Sequence, residues 1–220
     1  MDTIHYKLTD SQYIGDLDIE LNELSYIIHL NADTGCGKSS WVMDSLSLNH
    51  NIIFAVPQRA QITQLQAKYS HRTDIDFIYG GQRILSDNPT TIVCTYDQLP
   101  AIQAKIFTDQ YLLVIDEVHK LYQAASYRAE AIAKLIDAVK EERFSRVVTM
   151  SATFTQDLVP FQIDTWLDVK SASTLERWID LRVYSELATL EDEVLASLES
   201  RRIGPTGLRI NNKADIQRYQ

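Results

Sequence analysis

Lys38 and Ser39, which close the run Ala32-Asp33-Thr34-Gly35-Cys36-Gly37-Lys38-Ser39, carry the clearest chemistry in this chain. Gly35 and Gly37 leave the backbone free to bring its N–H groups close around an anion. A helix starting just beyond would turn its unpaired N–H groups and the positive end of its dipole toward the same anion. A lysine ammonium at this spacing reaches the terminal phosphates of a nucleoside triphosphate, and the following hydroxyl suits Mg²⁺. The nucleotide-binding set expected from this loop is Thr34, Gly35, Cys36, Gly37, Lys38, Ser39 and Ser40. The strict pattern opens with glycine, and Ala32 stands in that place. An ordinary glycine turn before a helix is the plain alternative, and the Gly-Lys-Ser ending argues against it.

A second cluster follows the apolar run Tyr111-Leu112-Leu113-Val114-Ile115, which ends in Asp116-Glu117-Val118-His119. Such a run suits a central parallel strand buried on both faces, and open α/β sheets bind ligands at the carboxyl ends of their strands. There Asp116 is expected to hold Mg²⁺ opposite Ser39, and Glu117 to orient and deprotonate an attacking water. An acidic pair after a strand can equally cap a helix. Its place about eighty residues beyond the phosphate loop, on a second buried strand, favours catalysis.

The elements that must position these groups alternate. Apolar runs predict strands at 26–30, 51–56, 75–79, 91–95, 111–115, 145–150 and 165–169. Helical spacing predicts helices from near Ser40, over 59–69, in a short piece ending before Phe107, and over 124–142. Strand and helix in alternation are the mark of a parallel sheet with helices on its faces.

With these motifs in this order, residues 25–155 resemble the first RecA-like domain of superfamily 2 helicases, in the DExH branch. That family's phosphate loop commonly opens with Ala, as Ala32 does here. Asp116-Glu117-Val118-His119 matches the DExH motif, and Ser151-Ala152-Thr153 matches the Ser-Ala-Thr motif. Val56-Pro57-Gln58-Arg59 stands where the family has Pro-Thr-Arg, with Gln58 replacing Thr. Gly80-Gly81 and Thr95-Tyr96-Asp97-Gln98-Leu99 resemble the remaining strand-contacting motifs. The resemblance implies a RecA-like P-loop NTPase fold and Mg²⁺-dependent ATP hydrolysis coupled to movement on DNA or RNA. It casts Lys38, Asp116 and Glu117 as catalytic, and His119, Ser151 and Thr153 as couplers of nucleotide state. It also implies nucleic-acid contacts at Gln58, Arg59, Gly81 and Thr95. No complete adenine-reading motif precedes the loop; Gln12, Tyr6 and Tyr13 stand at suitable distances, and equally read as surface.

The expected organisation is a nucleotide-binding domain over 1–175, then a linker and the beginning of a second RecA-like domain over 176–220. The run Gly207-Leu208-Arg209-Ile210-Asn211-Asn212-Lys213 resembles the opening of that second domain, which in the family supplies an arginine finger. The chain therefore reads as a piece of a longer motor whose partner is its own second domain, with a complete small ATPase as the alternative. A duplex translocase that does not unwind, and an ATP-binding module without turnover, are the two rival functions. Intact Lys38, Asp116 and Glu117 count against the second rival.

Composition narrows the field further. The 220 residues carry a net charge of −9, which argues against a broad basic groove but allows a local cationic strip. Arg59, Lys68, Arg72 and Arg83 are candidates for that strip. Two cysteines are too few for a Cys-based zinc site or a disulfide framework, and the five histidines lack metal-binding spacing. No apolar run approaches membrane-spanning length and no signal peptide is read, so an intracellular, reducing location with no membrane partner is expected.

Overall fold

The computed structural model describes residues 2–80, 89–153, 159 and 161–171, all within the first of two units of the chain, Met1–Thr174. Its strands are β1 (Asp2–Lys7), β2 (Ile27–Ala32), β3 (Ile52–Val56), β4 (Ile75–Ile78), β5 (Thr91–Thr95), β6 (Leu112–Ile115), β7 (Arg146–Ser151) and β8 (Thr165–Lys170). They form one eight-stranded sheet in the order β1-β8-β2-β7-β6-β3-β5-β4, with every pair parallel.

The sequences of β3, β5 and β6 are apolar or β-branched throughout, and every one of their residues is buried. That is the signature of parallel strands covered on both faces. Alternate side chains feed two separate cores. Ile28, Leu30, Phe54, Val114 and Val148 pack on one face with Trp41, Val42 and Ile62. Ile27, Ile53, Ala55, Leu113, Ile115 and Val147 pack on the other with Leu99, Ile102, Leu135 and Val139. The helices on the first face are α1, a continuous run over 38–49, and α2 (Arg59–Lys68). On the second lie α3 (Leu99–Gln103) and α4 (Lys120–Lys140). A register slip of one residue would exchange the two cores, so the pairing is strongly specified.

Three differences from the sequence expectations bear on the site. Helix α1 begins at Lys38, two residues early, and its middle, Trp41–Leu46, is wound as a π-helix, a distortion often found at functional sites. Helix α4 starts at Lys120, directly after the acidic motif, and is kinked at Arg128, whose guanidinium pairs with Asp97 at 2.6 Å. Strand β1 has no counterpart among the expected strands. It is a mostly exposed edge strand held parallel to β8 over all six residues. Beyond Ser171 the expected linker and second domain lie outside the described residues, as do Gly81 and Arg83. Among the described residues no helix is long and apolar enough to cross a membrane.

Candidate active site

Because every strand runs the same way, the loops after β2, β3, β6 and β7 emerge at one rim of the sheet. The loop after β2 is the glycine-bearing run. Gly35 and Gly37 have φ of 90° and 85°, a left-handed backbone that side-chain-bearing residues rarely adopt. A Cβ added at Gly37 would also press on Tyr13, sitting 3.2 Å from its Cβ and its ring Cδ1. Thr34, Gly35, Gly37, Lys38, Ser39 and Ser40 line a cavity of about 710 Å³, together with Asp116 and Glu117 from the end of β6. The Lys38 ammonium donates to the main-chain carbonyls of Ala32 at 2.7 Å and Asp33 at 3.0 Å. Cys36 differs from its neighbours: its side chain is buried in the core and its carbonyl accepts from Ile14 N–H, so the loop uses only its backbone.

The N-terminal segment packs on this loop, and of the three base-reading candidates only Tyr13 lines the cavity, with its ring mostly exposed at the rim. The Gln12 side-chain Oε1 accepts from Thr9 N–H at 3.1 Å, closing its own turn, and Tyr6 packs against the core.

Asp116 is only 4% exposed. Burial, and then the neighbouring Glu117 carboxylate, push its pKa up from 3.8 to about 6, against the opposing pull of Lys38. Glu117 adopts φ 50°, a strained turn for a non-glycine residue. Several bonds hold that turn. Asp116 N–H donates to Ala55 at the end of β3, and Val118 N–H to Met150 at the end of β7. The fully buried Tyr96 hydroxyl donates to the Asp116 carbonyl and lies 3.3 Å from that of Glu117. The Gln61 amide donates to Asp116 Oδ2 at 3.3 Å. Neither Tyr96 nor Gln61 is singled out for this role by the sequence. Tyr96 sits inside a recognised motif, and Gln61 sits in the first turn of α2, four residues beyond Pro57.

His119, Ser151 and Thr153, the three residues expected to couple nucleotide state, come together beside the acidic pair. His119 Nδ1 lies 2.8 Å from Ser151 Oγ and 3.4 Å from Glu117 Oε2. Ser151 Oγ in turn accepts from Thr153 N–H at 3.3 Å. A side-chain chain therefore leads from Glu117 through His119 to the Ser-Ala-Thr loop.

The profile of the DEAD/DEAH box helicase family matches residues 19–160, which hold the glycine loop, Asp116, Glu117, His119, Ser151 and Thr153. The chain belongs to the DEAD/DEAH box helicase family. Among solved structures it is similar to Mss116p bound to ssRNA and AMP-PNP, with TM-score 0.51 and 16% identity over 77% of this chain and 48% of that one. It is also similar to the Pyrococcus furiosus Hef helicase domain, with TM-score 0.45 and 13% identity over 88% and 48% of the two chains. A third similarity is to the Sulfolobus solfataricus SWI2/SNF2 ATPase core in complex with dsDNA, with TM-score 0.41 and 19% identity over 61% and 29%. The chain thus spans about half, or less, of the length of these structures. No curated protein sequence matches it. The family carries ATP hydrolysis, and the Mss116p likeness agrees with the RecA-like sheet.

In this helicase domain Gln58, Arg59 and Thr95, from which nucleic-acid contacts are expected, lie on a neighbouring part of the rim. Gln58 and Arg59 are exposed at the end of β3, and the Arg59 guanidinium stacks 4.7 Å over the Tyr79 ring at the end of β4. Thr95, at the end of β5 between them, is buried and precedes the turn that holds Tyr96. Two other candidates for the cationic strip are committed elsewhere. Lys68 donates to Ser40 Oγ at 2.9 Å, and Arg72 donates to the Met43 carbonyl and Ser47 Oγ while pairing with Asp74. Both fasten the end of α2 to α1 and its π-helical turn.

Proposed function

We propose that this domain is the ATP-hydrolysing first motor domain of a DExH-type helicase acting on a nucleic-acid strand. The observation that carries the reading is the convergence of Lys38, Ser39, Asp116 and Glu117 on one cavity from two non-adjacent strands. The oxygen donors suit a hard cation: a serine hydroxyl and a buried carboxylate, beside which the buried Gln61 Oε1 has no hydrogen-bond partner among the described residues. Ser39 and Asp116 would hold Mg²⁺, which when bound neutralises charge on the phosphate oxygens.

The chain's own residues then do the following. Loop N–H groups around Gly35 and Gly37 and the start of α1 cradle the phosphates, and Lys38 exchanges its two carbonyl partners for phosphate oxygens. Glu117 accepts the proton of the attacking water, its carboxylate aimed by the strained turn. His119 and Ser151 report the state of Glu117 to the loop after β7, and the exposed Arg59, with backbone N–H groups near the buried Thr95, contacts the strand. Among the described residues no arginine lines the cavity. The further positive charge that phosphoryl transfer requires is assigned to a second RecA-like domain, by resemblance to the family.

Glu117→Gln tests this mechanism. The amide keeps the shape and removes the proton acceptor, so MgATP binding should persist. Single-turnover release of the γ-phosphate, measured with excess protein and nucleic acid present, should fall at least about 10²-fold. Release at the wild-type rate would remove Glu117 as the base.

A further inference from the structure

Gln61 belongs to none of the motifs that carry the hydrolysis, yet it is the side chain whose amide reaches the buried carboxylate of Asp116, at 3.3 Å. Its backbone is fixed in the first turn of α2, where its N–H donates to the Gln58 carbonyl at 3.1 Å. The next residue, Ile62, is completely buried in the core beneath the helix. This turn cannot drift, so the amide is held at the cavity wall.

The chemistry of the two groups sets the amide's orientation. An ionised carboxylate only accepts hydrogen bonds, so the NH₂ end of Gln61 must face Asp116 and the carbonyl end must face away. That carbonyl oxygen is buried and finds no donor among the described residues. A buried acceptor without a donor is costly, and a native site keeps one where something bound supplies the hydrogen. The donor that a cation at Asp116 would bring is one of its own water ligands. Mg²⁺ keeps several waters when only one or two protein oxygens bind it.

We propose that Gln61 is a positioning residue for the divalent cation: its amide NH₂ orients Asp116, and its carbonyl accepts a hydrogen bond from a water on the metal. This rests on the reading of Asp116 as the metal-side carboxylate. Partners of this outer kind typically change metal affinity by about 10–100-fold when removed.

The test is binding, not turnover. The probes are a fluorescent non-hydrolysable ATP analogue and Mn²⁺, with Mn²⁺ affinity for the protein–nucleotide complex read by electron paramagnetic resonance. Nucleotide affinity in EDTA is measured in parallel. Gln61→Leu, which keeps the bulk and removes both polar ends, should weaken Mn²⁺ at least about tenfold and leave EDTA affinity unchanged. Unchanged Mn²⁺ affinity would overturn the proposal. So would an equal loss of nucleotide affinity in EDTA, because it would mean that Gln61 merely shapes the cavity. Asp116→Asn separates the two levels of the argument. If it weakens Mn²⁺ and Gln61→Leu does not, Gln61 alone loses its role. If it does not weaken Mn²⁺, the assignment of Asp116 fails and the proposal falls with it.

Discussion

Replacing Asp116 by asparagine should make the ligand-free protein more stable at neutral pH, by an amount that depends on pH in a defined way. The folded-state pKa of about 6 compares with an ordinary 3.8, and burial is the larger cause. Two units at about 1.4 kcal/mol each make about 3 kcal/mol, which is the cost of keeping this carboxylate charged in its buried place. The sign follows from proton counts. As pH rises from 4 to 6 the unfolded chain has already released the proton that the native state still holds, so stability falls across that window. The substituted amide carries no charge in either state and lacks this contribution. Its carbonyl oxygen can still accept from Gln61, so the packing of the site changes little. The assay is urea unfolding of both proteins in metal-free buffer at pH 4, 5, 6 and 7.5. Titrations of groups remote from Asp116 cancel in the difference between them. The stability of Asp116→Asn relative to wild type should grow by about 2.5 kcal/mol between pH 4 and 7.5, with most of the change between pH 4 and 6. A difference that stays flat with pH, or that shrinks, would refute the burial argument.

Lys38→Ala removes the cation that draws Asp116 back toward ionisation, and should cut nucleotide affinity at least about tenfold in a fluorescence titration while leaving the circular dichroism spectrum unchanged. The same variant should steepen the pH dependence of stability, since the folded pKa of Asp116 then rises further. Tyr96→Phe withdraws the hydroxyl from the Asp116 carbonyl, and should cost about 1–2 kcal/mol in urea unfolding. Because the turn that aims Glu117 loosens, its hydrolysis rate should fall more than its nucleotide affinity; equal losses in both would mean Tyr96 only supports the core.

How much of the molecule is legible in its sequence depends on the range over which each feature is encoded. The phosphate loop is legible because its conformation is local: Gly35 and Gly37 permit left-handed backbone where they stand, and Lys38 follows them directly. Strands β3, β5 and β6 are legible because burial on both faces demands unbroken apolar runs. Edge strand β1 is not, since only Ile4 and Tyr6 of its residues pack against the core and its partner β8 lies some 160 residues away.

The chain by itself determined which groups are available for chemistry, and the tertiary structure decided which of them meet. Residue types and spacing named Lys38, Ser39, Asp116 and Glu117, because each belongs to a contiguous motif at a strand end. Only packing brought Gln61 to Asp116 across 55 residues, turned Lys68 and Arg72 toward helix α1, and left Tyr13 rather than Gln12 at the cavity rim. Burial likewise, and not sequence, lifted the Asp116 pKa, because desolvation depends on everything folded around a group. A motif sets local backbone and side-chain type; contacts between distant segments, and the dielectric they create, exist only once the parallel sheet has closed.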